Sequence, residues 1–80
     1  MVDDCELIEG ATILEGEERP CIYNDVYLYQ GEKYVVWHCC VCDYIVMAVD
    51  CLGAELCDYT EDCMIDFFQN ATYLYSTDAQ

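Results

Sequence analysis

Eighty residues suffice for one domain and exclude a second, and a chain this short buries only about 60 to 65% of the surface that its unfolded form exposes. At 56% hydrophobic it is too apolar for disorder, although 17 acidic residues against only Arg19 and Lys33 leave a net charge of -15. That charge repels phosphates, which sets direct nucleic-acid and anionic-membrane binding aside, and it suits solubility, a high-salt habitat or a basic protein partner.

Asp3, Asp4 and Glu6 ahead of Leu7 and Ile8 predict a short N-terminal helix that Gly10 ends. Ala11 to Glu15 reads as a short strand, followed by the acidic loop GEERP, which Pro20 closes. Tyr23 to Tyr29 and Lys33 to Cys39 are rich in Tyr, Val and Trp, and a Gly31-Glu32 turn of type II′ would join them into a hairpin. In that register Tyr29 pairs with Tyr34, Val26 with Trp37 and Asp25 with His38. Val26, Leu28, Val35, Trp37 and Cys39 then share the expected core face, while Asp25, Tyr27, Tyr29, Tyr34, Val36 and His38 share a wet, aromatic one.

Tyr44 to Val49 predicts an apolar, central third strand, and it is too short to span a bilayer. CLGAELCD follows as a loop or short edge strand. Asp58 and Glu61 form a capping box for a helix from about Tyr59 to Thr72, with Met64, Phe67, Phe68, Ala71 and Tyr75 on its packed face and Asp62, Asp66, Gln69 and Tyr73 outward. Residues 76–80 are expected to fray. The fold class is therefore α+β: an antiparallel sheet of three to four strands with a central hairpin, packed against a C-terminal helix, in a single domain over residues 1–80.

Eight cysteines allow a disulfide framework in a secreted chain or reduced thiols in the cytosol. The start MVDDCELIEG lacks the charged and apolar regions of a signal peptide, so reduced, structural thiols in the cytoplasm are the expectation. Cys39 and Cys42 have C-x-x-C spacing, but no second pair completes a zinc ribbon. No cofactor is expected; the alternative is a small zinc or iron module with His38, Cys39, Cys42 and Cys57 as ligands. The lone His38 sits beside Cys39 on one strand, where neighbouring side chains point apart, so a Cys–His nucleophile is not expected and neither is enzyme activity.

The acids gather before and after the hairpin, and carboxylates one helical turn apart, roughly 5 to 6 Å, can imitate a phosphate run. Glu15, Glu17, Glu18, Asp58, Glu61, Asp62 and Asp66, with Tyr27, Tyr29 and Tyr34 as anchors, form the candidate partner-binding set. In its size, in segments such as EGEERP and DYTED, and in its interleaved tyrosines, the chain resembles small phage-encoded anti-defence proteins, including anti-CRISPR inhibitors and other nucleic-acid mimics. That resemblance implies a stoichiometric inhibitor, acting in the host cytoplasm, that occupies the basic nucleic-acid site of a host nuclease or CRISPR effector.

Overall fold

The two stretches richest in Tyr, Val and Trp form the longest strands, and the rest of the chain assembles around them. The computed structural model describes residues 5–8, 10–42, 47–57 and 61–78. A single 3₁₀ turn at Glu6–Ile8 precedes β1 (Ile13–Leu14), β2 (Ile22–Tyr29), β3 (Glu32–Cys39), β4 (Ala48–Asp50), helix α1 (Glu61–Asn70) and β5 (Thr72–Asp78). The sheet is antiparallel throughout, in the order β1-β5-β2-β3-β4. The α+β class is as expected, with five strands instead of three or four.

The hairpin turn falls one residue earlier than expected. Gln30 and Gly31 both have positive φ, 51° and 82°, as a type I′ loop requires, and Tyr29 pairs with Glu32. Each residue of β2 therefore meets a partner two places away from the expected one: Val26 pairs with Val35 and Asp25 with Val36. A shift of two preserves parity, so the two faces keep the membership expected of them.

What changes is which face the helix covers. Phe67, wholly buried on α1, packs on Tyr29, Tyr34, Val36 and Ala48, so the tyrosine face is the one under the helix. On the opposite face the 3₁₀ segment brings Cys5 and Ile8 over Val26 and Val35, with Val49, Cys51 and Tyr75 beside them. Leu28 and Trp37, expected in the core, lie beyond this small lid and are 39% and 40% exposed.

The C-terminal segment is the largest departure from the expected elements. α1 ends at Asn70, whose side-chain amide donates to the Asp66 carbonyl at 2.9 Å, and the chain turns directly into β5. Tyr75 is thus a strand residue. Residues 76–78 are not a frayed tail, because β5 lies between β1 and β2, and Ser76 and Thr77 are each 1% exposed. A bulge between Val26 and Tyr27 on the β2–β5 ladder steps the pairing from Tyr75 to Tyr73 and leaves Leu74 over. The expected third strand survives in part as β4, which is an edge and not central; its first residues, Tyr44 to Val46, lie outside the described residues, as do Asp3, Asp4, Asp58 and residues 79–80.

All eight cysteines pair, as Cys5–Cys51, Cys21–Cys40, Cys39–Cys42 and Cys57–Cys63, so the expectation of free thiols is overturned. Each Cα–Cα distance, from 4.6 to 5.7 Å, lies within bridging range. The bridges tie the 3₁₀ segment to the turn after β4, clamp the open end of the hairpin and join the segment before α1 to its first turn. Among the described residues no helix is long and apolar enough to cross a membrane.

Candidate partner-binding surface

Acidic side chains in this fold divide by what they do. One set is bonded within the fold. Asp50 Oδ1 accepts from the amides of Leu52 and Ala54, both at 2.9 Å, and so closes the turn after β4. Asp78 Oδ1 accepts from Thr12 N at 2.9 Å, pinning the chain ahead of β1 to β5. Asp66 accepts from the Tyr29 hydroxyl at 2.6 Å and from Asn70 at 3.0 Å. The remaining acids of the candidate set, Glu15, Glu17, Glu18, Glu61 and Asp62, are exposed, and their carboxylates make no hydrogen bond or ion pair among the described residues. Asp58, the other member of that set, lies outside those residues.

The tyrosines do not have the expected exposure. Tyr29 and Tyr34 are each 8% exposed, and Tyr27 is half-buried with its ring 5.4 Å from Phe67. Burial raises the Tyr27 and Tyr34 hydroxyls above their ordinary value, with nearby carboxylates adding to it. For Tyr29 the hydrogen bond to Asp66 is the leading cause of a rise in the same direction. Its ring is buried while its hydroxyl reaches the helix surface. The rings of Tyr29 and Tyr34 are therefore core side chains and not the exposed surface expected of them.

Exposed aromatic rings lie elsewhere, at residues outside the expected set. Phe68 on α1 and Tyr73 on β5 are 42% and 47% exposed, and each ring meets Tyr27 edge-on, at 5.7 and 5.8 Å. Arg19 donates to the Tyr73 hydroxyl at 3.3 Å and to the carbonyls of Gly16 and Glu18 at 2.8 and 2.9 Å. These contacts fold the Glu15–Glu18 loop toward Tyr73, while Glu61 and Asp62 lie in the first turn of α1, the helix that carries Phe68. The signal for Tyr73 was present in the sequence, since TYLYST is as β-branched and aromatic as β2 itself.

Beyond the helix, the same sheet face carries a polar chain. The Tyr73 hydroxyl lies 2.7 Å from Ser76 Oγ, Ser76 donates to Asp25 Oδ1, and His38 Nε2 lies 2.9 Å from Asp25 Oδ2. The His38 contact is short but not aligned as a hydrogen bond, so it is an electrostatic pairing. Asp25 and His38 thus meet diagonally, although the expected direct register is not the one formed. Tyr23 stacks on the imidazole with centroids 4.8 Å apart. A hydrolytic triad needs histidine between serine and carboxylate. Here Asp25 stands between Ser76 and His38, so the histidine does not meet the serine.

The alternative ligand set does not assemble in this fold. Cys39 and Cys42 are bonded to each other, Cys57 is bonded to Cys63, and His38 points to the face opposite Cys39. Among the described residues no group of three or more His, Cys, Asp or Glu is placed to hold a metal ion.

Searches against protein-family models, curated proteins and solved structures find no match to this chain.

Proposed function

We propose that this chain is a stoichiometric protein-binding inhibitor that covers the basic nucleic-acid-binding surface of a nuclease. One observation carries the reading: Arg19 draws the Glu15–Glu18 loop, whose carboxylates have no structural task, to the exposed Tyr73, which with Phe68 forms an exposed aromatic strip. With 17 acids against two cations, most carboxylates have no lysine or arginine available within the chain, and Arg19 is spent on loop carbonyls and a hydroxyl. A partner rich in Lys and Arg relieves that repulsion, and aromatic rings supply the desolvated contact that charge alone does not. Disulfides persist where the surroundings are oxidising, which favours a secreted or surface-exposed basic nuclease over a guide complex in a reducing cytoplasm.

The test measures affinity for a panel of basic nucleases at low and high salt, with nucleic acid as competitor. Binding should weaken steeply with salt, exclude nucleic acid, and fail when Glu17→Lys and Glu18→Lys are combined with Tyr73→Ala. Salt-independent binding, or a ternary complex with nucleic acid, would sink the proposal.

A further inference from the structure

We propose that the Cys39–Cys42 bridge is a thiol–disulfide exchange site, at which the thiolate of a cysteine in an apolar polypeptide segment attacks Cys42 Sγ. The four bridges are not equivalent. In the Cys5–Cys51 and Cys57–Cys63 bridges one cysteine is 2% or 1% exposed and the other is half-buried, so neither bridge presents an exposed cysteine to an incoming thiolate. Cys21 and Cys40 are exposed, but they face each other across the hairpin, with Cys40 N donating to Cys21 O at 2.9 Å. If that bridge opened, the backbone would hold both sulfurs in place to reclose it. Cys42 is also exposed, yet it lies past the end of β3, while Cys39 is the last residue of that strand and 8% exposed. With a sequence separation of 3, this bridge closes the smallest loop and constrains the unfolded chain least. It can open without loss of the fold.

The surroundings specify the substrate. Ile22 pairs with Cys39 across the ladder, Trp37 precedes it by two residues on the same face, and Val41 lies inside the bridge loop. Their exposures of 43%, 40% and 83% make an apolar rim beside the accessible sulfur. The chain's net charge of -15 repels anionic thiols, so the favoured attacker is a neutral or cationic apolar segment.

In the first step a new bond forms from the incoming sulfur to Cys42 Sγ, and the Cys39–Cys42 bond breaks. Its electron pair leaves on Cys39, which takes a proton from water. A second thiolate of the same segment then displaces Cys42 from the mixed disulfide, and Cys42 is protonated in turn. The segment's two thiols have become a disulfide, and the bridge has become two thiols.

The experiment uses the folded wild-type chain and three thiols: a neutral apolar peptide with one cysteine, a matched acidic peptide, and glutathione. After quenching, mass spectrometry maps the mixed disulfide while circular dichroism follows the fold. The expected adduct is at Cys42, with the other three bridges intact and the fold retained, and it forms at least about tenfold faster with the neutral apolar peptide. Trp37→Ser should remove most of that preference without moving the adduct. Adducts first at Cys21, Cys40 or Cys39, adducts only after loss of the fold, or equal rates for the three thiols would overturn the assignment.

Discussion

Replacing Phe67 with alanine tests the central structural claim, that the tyrosine face of the hairpin is the core sealed by α1. Phe67 is wholly buried, and its ring centroid lies 5.1 Å from Tyr29, 5.4 Å from Tyr27 and 5.8 Å from Tyr34. Truncating a buried phenylalanine costs about 3–5 kcal/mol. The upper half of that range applies, because three tyrosines held at strand positions cannot collapse into the void. For a domain of this size that loss lowers the melting temperature by on the order of 20 °C. Phe68→Ala is the internal control. That ring is 42% exposed and meets the core only through its neighbours, so its loss should cost about 1 kcal/mol. Urea unfolding with the disulfides intact, followed by near-ultraviolet circular dichroism of the tyrosines, measures both. Equal losses for the two variants, or less than about 1 kcal/mol for Phe67→Ala, would mean that the helix does not seal this face.

Two further outcomes follow from the bridges and the tyrosines. Paired Cys→Ser substitution should be costliest at Cys5–Cys51, whose sequence separation of 46 corresponds to about 4 kcal/mol of loop entropy, against about 2 kcal/mol for Cys57–Cys63, separated by 6; urea unfolding of the two double variants gives the order, and a reversed order would refute the loop account. Because Tyr27, Tyr29 and Tyr34 are all raised above 10.0, their contribution to stability is fully present below that pH and is lost as the pH climbs through their folded values. Titration at 295 nm should show a late-ionising group of tyrosines that shrinks in Tyr34→Phe, followed by alkaline unfolding; simultaneous titration of all eight tyrosines in the intact fold would contradict this.

The hairpin was legible because Tyr, Val and Trp alternate through both of its arms, and parity survived an error in the turn. The turn itself was misplaced because Gln30 adopts a φ of 51°, a conformation that sequence preference assigns first to glycine. The choice of covered face was beyond reach in the hairpin alone, since both faces carry enough apolar area to attract a layer. Phe67 decides it from forty residues away. β5 was lost to a competing periodicity: Ala71 and Tyr75 continue the helical spacing of Phe67, and that outweighed the strand composition of TYLYST. The cysteine pairing was out of reach for a combinatorial reason, because eight cysteines allow 105 connectivities. Of the candidate surface, the exposed acids were readable from charge; Phe68 and Tyr73 were not chosen, because their exposure depends on where α1 stops and how β5 enters the sheet.

A chain with this much negative charge works against its own compaction, and the arrangement of its bonds shows how the two are reconciled. Inside the sheet, Asp25 is held by Ser76 and His38; at its margins, Asp50 and Asp78 receive backbone amides. Each of these carboxylates thus replaces lost hydration with donors of the fold. Among the described residues the acids that no donor satisfies, Glu15, Glu17, Glu18, Glu32, Glu55, Glu61 and Asp62, are exposed, and water screens them. The bridges matter most where the covering layers are thinnest: Cys5–Cys51 holds the three-residue 3₁₀ lid against Val26 and Val35, and Cys57–Cys63 holds the start of a ten-residue helix over the tyrosines. Cross-links stabilise a small core chiefly by limiting the unfolded chain, so they leave the surface free to carry charge that a core of this size could not otherwise tolerate. On this account the acidity is an independent property of the surface: changing Glu17 and Glu18 to glutamine should leave the midpoint of urea unfolding unchanged or raise it, whereas the same neutralisation of Glu61 and Asp62, which face the N-terminal dipole of α1, should lower it.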